Sequence, residues 1–75
     1  MSITAKALLV AKKPVGEGEY EQVLLTFGAD YADGRNKEWA LATPTLDLRM
    51  SVKPDVAERF TEGQPYTLTF TETDD

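Results

Sequence analysis

The chain has 75 residues, 13 of them acidic and 8 basic, for a net charge of −5, and it contains neither cysteine nor histidine. That length allows one small domain. The composition excludes disulfides, thiolate metal sites, and the imidazole and thiol groups on which most proton-transfer and nucleophilic catalysis depends.

Taken in chain order, the first predicted strand covers residues 3–12, Ile3 to Lys12. Its phase changes at Ala7-Leu8, where two apolar residues are consecutive, and a β-bulge or strong bend there would let one strand serve both ends of a sheet. A Pro14–Glu19 loop follows. The second strand, residues 20–27, turns Val23, Leu25 and Phe27 to one face, and Leu24 interrupts the alternation. The longest loop, Gly28 to Asn36, carries Tyr31 and an Asp33-Gly34 turn.

A third strand is predicted at residues 37–43, with Trp39 and Leu41 on one face and Pro44-Thr45 making a tight hairpin into the next. That fourth strand, residues 46–53, has the clearest pattern in the chain. Leu46, Leu48, Met50 and Val52 alternate with Asp47, Arg49, Ser51 and Lys53, so the apolar set shares one face. Pro54 ends it. A short helix at residues 55–60 follows, with Asp55 and Glu58 at capping-box spacing. Val56, Ala57 and Phe60 should plug one end of the fold, and Glu62-Gly63 then turns the chain, with Gly63 at positive φ. The fifth strand, residues 65–72, points Tyr66, Leu68 and Phe70 inward and three threonines outward, and 73–75 form an acidic tail.

These elements predict one all-β domain over residues 1–75: a small five-stranded SH3-like or OB-like barrel with one short helix between the last two strands. The helical turn before the last strand favours the SH3-like order. The predicted core is Ile3, Ala5, Val23, Leu25, Phe27, Leu41, Leu48, Met50, Val52, Val56, Phe60, Tyr66, Leu68 and Phe70.

The chemistry on offer is sparse. Ser2 and Ser51 have no imidazole to activate them, and no carboxylate pair has an evident apolar pocket to raise its pKa. Asp30, Asp33 and Asn36 share a loop with Gly34, but their spacing is not that of an EF-hand and no bidentate Glu follows. They read as turn formers. The expectation is a protein that is no enzyme and has no metal or cofactor. No stretch approaches the roughly 18 apolar residues of a membrane span. The N-terminus lacks a basic region ahead of an apolar run, so no signal peptide is expected. An acidic surface repels phosphate backbones, which disfavours nucleic acid as a partner. The one group of residues with recognition chemistry is Tyr31, Arg35, Lys37, Trp39 and Arg49, an aromatic centre with a basic rim. Trp39 by itself has a second reading, as a core side chain.

From Asn36 onward the order of elements is specific. It runs Asn36-Lys37-Glu38-Trp39, Ala42-Thr43-Pro44, an alternating strand, Lys53-Pro54, then Phe60, Gly63, Tyr66 and Phe70. In this it resembles a group of small uncharacterised phage and prophage proteins. It departs from them in having Leu46 where they have Gly, and Lys53 where they have Asn before the helix proline. The resemblance implies a phage origin and a place in the host cytoplasm or on the virion. The leading expectation is an accessory protein that binds a host or phage protein, of inhibitor or anti-defence type. One alternative is a structural or assembly protein of a virion or homo-oligomer. Another is a binder of a nucleotide, a phosphate-bearing small ligand or single-stranded nucleic acid.

Overall fold

The computed structural model describes residues 2–31 and 36–73. Four strands form one antiparallel sheet: β1 (Ser2–Val15), β2 (Gln22–Ala29), β3 (Asp47–Val52) and β4 (Pro65–Thr71). Their order across the sheet is β3-β2-β1-β4. The sheet curls into half a barrel, and the helix α1 (Pro54–Ala57) connects β3 to β4. Among the described residues no helix is long and apolar enough to cross a membrane.

Strand register follows directly from the period-two pattern. Phe27 lies opposite Leu9 on one side and Leu48 on the other, and Leu25 lies opposite Met50. Ile3, Ala5 and Ala7 lie opposite Phe70, Leu68 and Tyr66. Because opposed residues project to the same face, the concave face is apolar across all four strands. The convex face carries Thr67, Thr69 and Thr71, with Asp47, Arg49 and Ser51 at the other edge.

The long first strand does serve two partners. Its residues from Ala7 to Val15 pair with β2, and those from Ser2 to Leu8 pair with β4. The irregularity falls between Leu9 and Ala11, a little beyond the predicted Ala7-Leu8 position. Leu8 keeps regular alternation and simply faces the convex side. The extra residue, Val10, resets the phase, so that Lys12 comes to lie opposite Leu25 on the apolar side.

A lysine is tolerated there because α1 ends above it. Lys12 Nζ donates hydrogen bonds to the carbonyls of Ala57 and Phe60, both at 2.9 Å. Cations are favoured at the unpaired carbonyls of a helix C-terminus. Lys12 N–H donates to the Glu62 carboxylate at 3.1 Å. A Lys12→Met variant keeps the stem and loses the ammonium. It is expected to cost about 1.5–3 kcal/mol, the range for hydrogen bonds to a charged group, read as a lower midpoint in urea unfolding.

The helix is shorter than the sequence suggests, and no side chain caps its N-terminus; Pro54 opens it instead. Ala57 is buried, and Phe60 packs on the central cluster of Ala7, Leu9, Leu25 and Phe27, as expected of a plug. Gly63 adopts φ 89° and donates its N–H to the Leu9 carbonyl at 2.8 Å, the left-handed turn that its position predicted.

Two expectations need correction. The predicted strand at residues 37–43 is a turn over Asn36–Trp39 followed by a bend at 41–43, so the described residues hold four strands and no Pro44-Thr45 hairpin. The reason lies at Asn36, whose backbone turns left-handed and whose carbonyl accepts the N–H groups of Trp39 and Ala40. The second correction concerns the core. Leu41 is fully exposed, and Phe70, Met50 and Ile3 are 58%, 42% and 37% exposed although they stand on the predicted face. Among the described residues there is one sheet, and the short helix α1 is the element packed over its apolar face, so no second sheet covers Phe70, Met50 or Ile3.

Candidate interaction surface

β1 outruns β2 at its N-terminal end, leaving the backbone of Thr4 and Lys6 without a strand on that side. Side chains of the 36–39 turn fill the gap. The Asn36 carboxamide acts as a substitute peptide. Its Oδ1 accepts Lys6 N–H at 2.6 Å and the Trp39 Nε1–H at 3.2 Å. Its Nδ2 donates to the carbonyls of Lys6 at 3.0 Å and Asp30 at 3.1 Å. All four hydrogen-bonding positions of the amide are thereby used. Glu38 Oε1 accepts Thr4 N–H at 3.2 Å. Asparagine suits the site twice over, because it tolerates the left-handed φ of 68° found here and carries the two-sided amide.

This anchoring sets Trp39. Its indole N–H is held by Asn36, and its ring forms one wall of a groove of about 450 Å³ lined by Ile3, Ala5, Thr45, Leu46 and Phe70. None of these side chains is charged. The floor is the β1–β4 end of the concave face, and the connection from β2 to β3 supplies the other wall. A second depression of about 490 Å³ shares Ile3 and Phe70 and runs along Thr69, Thr71 and Glu72 at the rim of β4.

The five residues singled out from sequence separate in space. Trp39 is half-buried and belongs to the groove. Tyr31 and Lys37 are exposed on the same connection. Arg49 projects from the convex side of β3, opposite Thr26, and pairs with Asp47 at 3.5 Å. It therefore stands on the opposite face from the groove. Arg35 lies outside the described residues, as do Asp33 and the Asp33-Gly34 turn. Asn36, considered as a loop ligand, is buried with its amide committed to the backbone of β1.

Sequence reasoning assigned Ile3, Leu46 and Phe70 to strand faces and so missed them as surface residues. Their alternation announces an apolar face but says nothing of what covers it. No protein-family model, curated protein or solved structure matches the chain.

Proposed function

We propose that this protein is a non-enzymatic binding module, phage-encoded, that acts on a host or phage protein through the apolar groove at the open side of its half-barrel. The observation that carries this reading is the uncovered concave face. Phe70 and Ile3 stand in the open beside Trp39 and Leu46, on a rigid sheet, with no charge among the lining residues. Large apolar and aromatic side chains held in place by a scaffold bind a protein surface at little entropic cost. The absence of histidine and cysteine supports a role without catalysis. The resemblance to small phage proteins supplies the setting, the host cytoplasm. Within this proposal the half-barrel is an SH3-like barrel left open, a reading supported by the helical turn directly before the last strand. A second reading, as a structural or assembly protein, is favoured by the free edge of β4.

The test is capture from host lysate on immobilised protein, comparing the parent with Phe70→Glu and with Arg49→Glu on the opposite face. Both altered side chains are exposed, so both variants should fold. The captured protein is expected to be lost with Phe70→Glu and kept with Arg49→Glu. Retention of the same protein by Phe70→Glu, or capture of nothing by the parent, overturns the reading.

A further inference from the structure

We infer that a second copy of this chain pairs with the free edge of β4, antiparallel and across a two-fold axis at Thr69, closing one side of the groove. The inference deepens the reading of the groove as a contact surface and rests on it.

The hydrogen bonds of β1 determine which groups that edge presents. The N–H groups of Thr4 and Lys6, and the Lys6 carbonyl, point away from β4, toward the 30–38 connection. Leu9 N–H and C=O point the other way, to Gln64 and Gly63. Backbone groups alternate along a strand, so Ile3, Ala5 and Ala7 bond to their partners Phe70, Leu68 and Tyr66. The N–H and C=O groups of Thr67, Thr69 and Thr71 are left pointing outward.

An open strand edge is a hazard that proteins ordinarily blunt with charge, proline or a bulge. The other edge of this sheet is blunted, because β3 carries Asp47 and Arg49 there as an ion pair. β4 opens on Pro65, and beyond it Tyr66 to Thr71 has no charged residue, no further proline and no bulge; the nearest charge is the Lys6 ammonium, which donates to Thr67 Oγ1 at 2.8 Å. With Thr69 opposite itself, Thr67 faces Thr71 of the second copy, and all the outward groups join in about six ladder hydrogen bonds. The same register sets Phe70 beside Leu68 of the second copy on the concave face. No acidic side chain on the strand opposes the approach of two chains that each carry a net charge of −5.

In this register the edge is its own complement, and two-fold dimers are the commonest assembly of identical chains.

Sedimentation equilibrium of the purified full chain tests this. The parent is expected at the mass of two 8.3 kDa chains. Thr69→Pro removes an N–H that points away from β1 and makes no bond among the described residues, so it should fold as the parent does by circular dichroism. It should weaken self-association by at least about 100-fold, because the lost donors and the intruding rings meet at the axis. Thr69→Lys, which places two ammonium groups across the axis, gives the same result if the proline variant fails to fold. Ser51→Pro, at the equivalent outward position of β3, should leave the dimer intact. A monomeric parent, or a dimer that persists in folded Thr69→Pro and Thr69→Lys, overturns the β4 pairing. The groove reading is judged separately with Ile3→Glu, a groove residue on β1 that does not border the second copy: captured protein is expected to be lost while the parent's mass is kept, so the two can fail independently.

Discussion

Replacing Phe27 with alanine is expected to unfold most of the protein. Phe27 is 2% exposed and sits at the centre of the apolar face. Its ring meets Phe60 edge-on at 6.1 Å and Tyr66 edge-on at 6.0 Å. Those two rings in turn contact each other at 5.2 Å. Removing the ring deletes the middle of a three-ring cluster that ties β2 to the helix end and to β4. Buried Phe→Ala changes cost about 3–5 kcal/mol, and a chain this small without disulfides is stable by about the same amount. Circular dichroism and urea titration of the Phe27→Ala variant check the result. Phe70→Ala supplies the contrast. The two residues share a face and a chemistry, but Phe70 is 58% exposed, so its loss is expected to cost less than about 1.5 kcal/mol. Equal destabilisation by the two would mean that the concave face is covered in solution, and measuring Phe70→Ala across a range of protein concentrations would reveal a second copy as the cover.

The next largest effect is expected at Asn36. The Asn36→Gly variant keeps a residue at ease with φ 68° and removes only the carboxamide. Lys6 N–H, the Trp39 indole N–H and the carbonyls of Lys6 and Asp30 all lose a partner. Asp30 N–H still reaches the Lys6 carbonyl at 3.0 Å, so the deepest loss is at Lys6 N–H. A buried polar group left unsatisfied costs about 1–3 kcal/mol, and Asn36 serves more than one, so a loss of about 2–4 kcal/mol is expected. Trp39 emission should shift to the red as its ring is released toward water. Asn36→Ala should be worse than Asn36→Gly, because alanine adds about 1–2 kcal/mol of left-handed strain. The reverse ranking would place the importance of Asn36 in its backbone angle alone.

The inward faces of β2, β3 and β4 were legible in the sequence, whereas on β1 the predicted core stopped at Ala5 and missed Ala7 and Leu9, both fully buried. Leu48, Met50 and Val52, or Tyr66, Leu68 and Phe70, can share a face only if the backbone is extended, because a helix would scatter them. Pro54 and Gly63 were equally legible as the start of the helix and the turn after it, since each restricts or frees φ by its own covalent structure. The double role of β1 showed as a break in its pattern, displaced from its true place because Leu8 is apolar while pointing to the convex side.

The segment at 37–43 was misread for a physical reason. Trp39 and Leu41 have the spacing of a strand, but a strand also needs a free ladder partner. The β1 backbone that β2 leaves unpaired, at Thr4 and Lys6, is satisfied by the side chains of Glu38 and Asn36. An asparagine that stands in for a peptide bond leaves no periodic trace, because the contact spans 30 residues of sequence.

Whether an apolar face is covered is likewise outside the reach of periodicity. Alternation is a local property, set by successive Cα–Cβ vectors of one strand. Coverage depends on a second layer that another part of the chain, or another molecule, must bring. Here the chain folds that layer over Leu9, Leu25 and Phe27 with α1 and Phe60, and leaves Ile3 and Phe70 outside it. The sequence by itself determined which side chains of β2, β3 and β4 face inward; only the tertiary structure decided the phase of β1 around its bulge and where the inward face remains open, because packing one helical turn at one end of a curled sheet cannot also reach the other.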